Sequence, residues 1–160
     1  MKRVLLACVL ASGILALPMS TPRAAEPAKV DQGDPEENRG ARLAAMEFLT
    51  DVDDGRVEDS WDYASEMMHG ILTRAEWEKG VDDARASVGE LQKRDLMGAV
   101  FSKQLQSMPV GHYYTVFYVS HFEAGWYQEK VVLSHNGGDW KLEGYWIVPS
   151  DDKGQPKKNQ

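Results

Sequence analysis

The stretch from Gly111 to Pro149 constrains this chain most, because it leaves room for little but antiparallel strands. It reads GHYYTVFYVSHFEAGWYQEKVVLSHNGGDWKLEGYWIVP. Val, Tyr, Phe and Trp dominate it, and these residues fit a half-buried pleated surface. Asn136-Gly137-Gly138 supplies the tolerance of positive φ that a hairpin turn needs, and Glu123-Ala124-Gly125 is a weaker turn signal. Three strands in a meander are therefore predicted. A turn centred on Asn136-Gly137 would set Leu133 against Trp140, Val131 against Leu142 and Glu129 against Gly144. Tyr127, Glu129, Val131 and Leu133 would then share an inner face with Trp140, Leu142, Gly144 and Trp146. The other face, with Gln128, Lys130, Ser134, Lys141 and Glu143, reads as largely wet. For the first of these strands, Tyr114/Val116/Tyr118/Phe122 and Tyr113/Phe117/Val119 both qualify as the inward set. An earlier run, Leu91 to Leu105, reads as a fourth strand with poor alternation.

Helices precede the sheet. Pro35 suits a first helical turn, and Glu36 and Glu37 suit the positive end of the helix dipole. This helix is expected to run to about Asp54, with Leu43, Met46, Phe48, Leu49 and Val52 on its apolar stripe and Gly55 stopping it. A short second helix, capped by Asp59 or Ser60, would carry Trp61, Ala64 and Met68 and end at Gly70. Thr73-Arg74-Ala75-Glu76 is a capping box opening a third, with Trp77, Val81, Ala84 and Val88 on one face and Gly89 beyond it. Helices followed by a mostly antiparallel four-stranded sheet make an α+β domain.

The first 25 residues have the proportions of a signal peptide: Lys2 and Arg3, then an apolar run from Val4 to Leu17, with cleavage expected near Ala25. That run is too short to span a bilayer, so no membrane span is expected in the mature chain. Residues 26–37 read as a linker, 38–148 as one domain and 149–160 as a polar, disordered tail. The expected location is periplasmic or secreted. Cys8, the only cysteine, falls in the signal, which leaves no disulfide, thiolate metal site or cysteine nucleophile. Cleavage also removes Lys2, Arg3 and Arg23 but no acid, leaving 15 basic and 25 acidic residues and a net charge of −10. Such a chain repels phosphate backbones, so no nucleic-acid partner is expected.

Ser60-Trp61, Ser65, Trp77, Arg85, Gly89, Arg94, Pro109-Val110-Gly111, Tyr113, Phe122, Glu129 and Trp140-Lys141-Leu142-Glu143-Gly144-Tyr145 form an ordered set. The set resembles the bacterial domain-of-unknown-function family numbered four thousand and nineteen, over about residues 38–148. The resemblance implies a small exported domain with the cone-shaped, cystatin-like fold of nuclear transport factor 2 and its relatives. It brings no established activity and no catalytic residues.

The candidate chemistry centres on Glu129, a carboxylate inside an apolar stripe. It is either a pocket acid or base, or the acid of a salt bridge to Arg85 or Arg94. Ser65 lies four residues from both Trp61 and His69. It is a nucleophile candidate only if His69 serves as its base, and it lacks a nucleophile-elbow glycine pattern. Trp61 and Tyr127 complete the candidate pocket. The histidines lack paired zinc spacing, and Met67-Met68-His69 would suit Cu(I) but reads better as core, so no metal or cofactor is expected. The reading that follows is a non-catalytic module for a small apolar ligand or a periplasmic protein, with its cavity between the first helix and the sheet. Alternatives are a metal-independent pocket enzyme using Glu129, and a homodimeric assembly module built on the outer sheet face.

Overall fold

The computed structural model describes residues 33–157. The signal-peptide reading and most of the linker lie outside the described residues. Helix α1 spans Pro35–Asp53. The Asp34 side chain caps it, accepting from the amides of Glu36 and Glu37 at 2.9 and 3.1 Å. A 3-10 segment, Val57–Tyr63, then leads to α2 (Glu66–Ile71) and α3 (Arg74–Val88). Thr73 and Glu76 complete the expected capping box on α3. Strands β1 (Leu91–Ser102), β2 (Tyr113–Phe122), β3 (Gly125–Ser134) and β4 (Lys141–Pro149) follow in an open antiparallel meander, each beside its sequence neighbour. The architecture is α+β.

The second helix differs from the expected one. Ala64 and Ser65 are extended, because Ala64 bridges to Leu142 in parallel and the Ser65 amide donates to the Leu142 carbonyl at 2.9 Å. This pairing to the edge of β4 interrupts the helix. Trp61 is left in the 3-10 turn, and Ser65 becomes the cap of α2.

On β2 the inward set is Tyr114, Val116, Tyr118 and Phe122, all fully buried. The β3–β4 pairing is shifted from the expected one. Leu133 pairs with Leu142 and Ser134 with Lys141, so residues 135–140 form a longer loop through Gly137 at φ 76°. A bulge then sets Val132 opposite Gly144 and Val131 opposite Tyr145, with Glu143 the extra residue. One extra residue exchanges the faces of everything beyond it. Tyr145 therefore faces inward, where Gly144 and Trp146 were expected, and Trp146 turns outward, 47% exposed. The poor alternation of β1 has the same origin, with irregularities between Leu91 and Lys93 and between Leu96 and Gly98.

Helix α1 crosses the inner face with Ala41, Ala45, Phe48, Leu49 and Val52 buried. Leu43 and Met46, expected on that stripe, are exposed at 66% and 45%. Two residues along a helix is about 200° around it, so a face built on Ala41, Ala45 and Phe48 must turn Leu43 outward. The small side chains of Ala41 and Ala45 let α1 lie close to the sheet. The space between them is filled by Phe48 and Leu49 with Tyr114, Val116, Val131 and Leu133, where a cavity was expected.

The outer face is less polar than expected. Val119 and Val132 are buried there, Phe117 is half-buried, and Met97, Val100 and Trp146 are exposed. Part of the cover comes from the C-terminal segment. Read from composition as disordered, residues 150–157 instead turn back: Ser150 bridges to Pro156, and Gln128 donates to the Gly154 carbonyl at 2.8 Å. Gly154 lies tight against Met97 and Val119.

The corrected helix face makes a simple prediction. Phe48→Ala should cost about 3–5 kcal/mol, and Leu43→Ala should stay within about 0.5 kcal/mol of the parent in urea unfolding. Equal losses at the two positions would contradict this packing.

Candidate functional site

Glu129 sits on β3 with no exposed surface, opposite Ile147 on one side and Tyr118 on the other. Arg94, from β1, approaches it edge-on. Its Nε donates to Oε2 at 2.7 Å and its Nη2 to Oε1 at 3.1 Å. Ser120 donates to Oε2 from the adjacent strand, and Tyr145 donates to Oε1 at 2.5 Å from β4. Arg85 of α3 stands 3.6 Å from Oε1, with its guanidinium 4.7 Å above the Phe122 ring. Asp53, at the end of α1, closes the network: it accepts from Arg94 at 2.5 and 3.1 Å and from Arg85 at 2.8 Å.

Two carboxylates and two guanidinium groups balance in charge. Burial by itself lowers the pKa of Arg94, but hydrogen bonds to Asp53 and Glu129 outweigh that and raise it. Burial, and then the Glu129 charge, push the Tyr145 hydroxyl well above its ordinary value, so it remains a donor. Both Glu129 oxygens are occupied, so neither is open to take a proton from a ligand. The sequence reading named Glu129, Arg85 and Arg94 together, but missed Asp53, Ser120 and Tyr145. Ser120 shares the parity of Tyr118 and Phe122, which was the available signal. Tyr145 was hidden by the bulge.

The remaining candidates stand elsewhere. Tyr127 is half-buried, its ring 5.9 Å from Phe122, and is not among the groups bonded to Glu129. The Ser65 hydroxyl donates to Glu143 Oε2 at 2.6 Å and accepts from the Met68 amide at 3.1 Å. His69 is turned away from it: its Nε2 lies 3.0 Å from the Trp61 carbonyl, and its ring rests on Trp61. The serine–histidine pairing that nucleophilic attack requires is not made. Among the described residues, no group of three or more His, Cys, Asp or Glu is placed to hold a metal ion. No helix among them is long and apolar enough to cross a membrane.

A family model described as "Protein of unknown function (DUF4019)" matches residues 44–145. The chain belongs to this family. No curated protein and no solved structure matches it. The residues that carried the family resemblance separate in space. Arg85, Arg94, Phe122, Glu129 and Tyr145 meet at the buried ion network. Ser65, Pro109, Tyr113, Lys141 and Glu143 line a shallow concavity beside α2.

Two polar features on α1 escaped the sequence reading. Glu37 accepts from Tyr114 at 3.0 Å and faces His112 Nδ1 at 3.0 Å and His135 Nδ1 at 3.5 Å. Nothing in the spacing of these four residues announces that they meet. Further along, Gly40, Leu43, Ala44 and Glu47 of α1 form an open groove of about 460 Å³ with Tyr63, Leu133, Asp139 and Trp140. Its lining is mixed: Leu43, Ala44, Leu133 and Trp140 stand beside Tyr63 and two carboxylates, Glu47 and Asp139.

Removing one member of a buried ion network strands the others, so Glu129→Ala should cost on the order of 3–5 kcal/mol. A variant that melts with the wild type would show that Glu129 is not structural. Glu37 gives a pH signature. Burial raises its pKa, but the bonds from Tyr114 and His112 outweigh this and hold the carboxyl below the ordinary value of 4.5. A carboxyl depressed in the folded state adds stability above its unfolded value and loses it as pH falls through the folded one. The stability gap between wild type and Glu37→Gln should therefore be full at neutral pH and close as pH drops below 4.5. A gap independent of pH in denaturation curves would contradict this.

Proposed function

We propose that this chain is a small exported, periplasmic binding module without catalytic machinery, and that it holds a small apolar ligand beside α1. The observation that carries the reading is the groove between Leu43, Ala44, Tyr63, Leu133 and Trp140. Its volume, about 460 Å³, falls within the roughly 300–1,000 Å³ usual for small-molecule sites. Leu43 is 66% exposed on its rim, an apolar side chain that a ligand would cover. The saturation of Glu129 supports the absence of catalysis, because a pocket acid or base needs a free oxygen. The ligand site moves from the helix–sheet interior, which side chains fill, to the flank of the same helix.

The neutral fluorophore N-phenyl-1-naphthylamine tests this reading. It should bind the purified protein one-to-one with raised, blue-shifted emission, and Leu43→Asp should weaken it about tenfold. No enhancement, or full affinity in the variant, would remove the groove as the site.

A second reading has its own support. Met97, Val100 and Trp146 are exposed on the outer sheet face, a partly apolar surface that a second copy of the chain could cover. On this reading light scattering would find a dimer that Trp146→Asp dissociates. A monomer at every concentration, or a dimer indifferent to that change, would exclude it.

A further inference from the structure

The groove beside α1 carries charge of one sign. Its lining holds two carboxylates, Glu47 and Asp139, and two aromatic rings, Tyr63 and Trp140, but no Lys or Arg. The acids come from different elements, Glu47 from α1 and Asp139 from the loop between β3 and β4. Both are exposed, and neither forms an ion pair among the described residues. Other acids of the same helix are taken: Asp51 pairs with Arg56, and Asp53 with Arg85 and Arg94. A cleft lined by one sign of charge over low-dielectric walls concentrates counter-ions, and here the counter-ion is a cation.

The aromatic part of the lining is held in place. His135 stacks on Trp140 at 4.6 Å and 26°, and the Tyr114 ring meets it edge-on at 5.6 Å. Gly40 makes room for the indole, since a Cβ there would come 2.8 Å from Nε1. Tyr63 is anchored by its hydroxyl, which donates to Asp51 at 3.0 Å. A wall fixed before a ligand arrives loses little freedom on binding.

We propose that this groove takes an organic cation, an ammonium group carried on a small apolar body. Glu47 and Asp139 attract the nitrogen and accept its hydrogen bonds, while Leu43, Ala44 and Trp140 cover the body. Aromatic surface favours a cation further, through the negative face of the ring. An anion would meet two like charges, and a neutral molecule would gain nothing from either carboxylate. The inference rests on the reading of this groove as a ligand site and adds the charge of what it holds.

Titration calorimetry of the purified protein with phenethylamine, phenethyl alcohol and hydrocinnamate tests it. The three share a body and are cationic, neutral and anionic at neutral pH. Phenethylamine should bind one-to-one and about tenfold more tightly than the alcohol, the gain expected from two solvent-exposed ion pairs together, and hydrocinnamate should bind more weakly than either. The double variant Glu47→Gln/Asp139→Asn should bring amine and alcohol within about twofold of each other. Both side chains are exposed, so this variant should melt with the wild type and keep its affinity for N-phenyl-1-naphthylamine. Asp82→Asn, which removes an exposed acid of α3 outside the groove, should leave the preference for the amine intact.

Equal affinity for amine and alcohol would overturn the cation and leave the groove standing. So would failure of the amine to bind at millimolar concentration while N-phenyl-1-naphthylamine still binds. Failure of all four compounds would remove the groove as well. An amine preference that persists in the double variant, or that Asp82→Asn reduces as much, would trace to the net charge of the chain and would likewise overturn the site.

Discussion

The carboxylate of Glu129 is the interaction on which the domain depends. A charge with no exposed surface is tolerable only when every lone pair is used, and here Arg94, Ser120 and Tyr145 use them. The donors come from β1, β2 and β4, so one residue on β3 ties all four strands. Arg94 and Arg85 reach on to Asp53, the last residue of α1, and Arg85 belongs to α3. The network therefore fixes where the helices land on the sheet. Apolar burial supplies most of the driving force but carries little direction. A bidentate guanidinium pair adds direction, because it holds only at one distance and angle.

This arrangement also decides what the interior is not. An acid that meets four donors has no free oxygen, and the volume around it is taken by Phe48, Leu49 and the inward tyrosines. The open surface of α1 lies on its flanks, where one face meets the sheet and the others do not. On one flank lies the groove at Trp140, lined by apolar side chains together with Glu47 and Asp139. On another lies Arg42, which makes no ion pair among the described residues.

Much of this order was legible in the sequence, and the failures have local causes. The α+β arrangement, the Thr73–Glu76 box and the meeting of Glu129 with Arg85 and Arg94 followed from element order, cap chemistry and the cost of a lone buried charge. The β3–β4 register did not, because a loop from residue 135 to 140 and a bulge at Glu143 both lie outside strict alternation. A bulge leaves no mark in a hydrophobic pattern beyond the parity it overturns, and here that exchanged Tyr145 with Trp146. Helix α1 misled for another reason. Ala41 and Ala45 are weak hydrophobic signals that matter because they are small, whereas Leu43 and Met46 are strong signals that face solvent.

The features that stayed hidden are those that depend on an absence. Arg42 looks like any other surface arginine until the partners of Arg39, Arg56, Arg74, Arg85 and Arg94 are all known. Tyr118 looks like ordinary core until its hydroxyl is found without an acceptor. Both absences are readable only in the assembled fold, where the donors and acceptors around each side chain are in view. Glu129 differs in that its need for partners follows from its place in an apolar stripe and could be read before the fold was known.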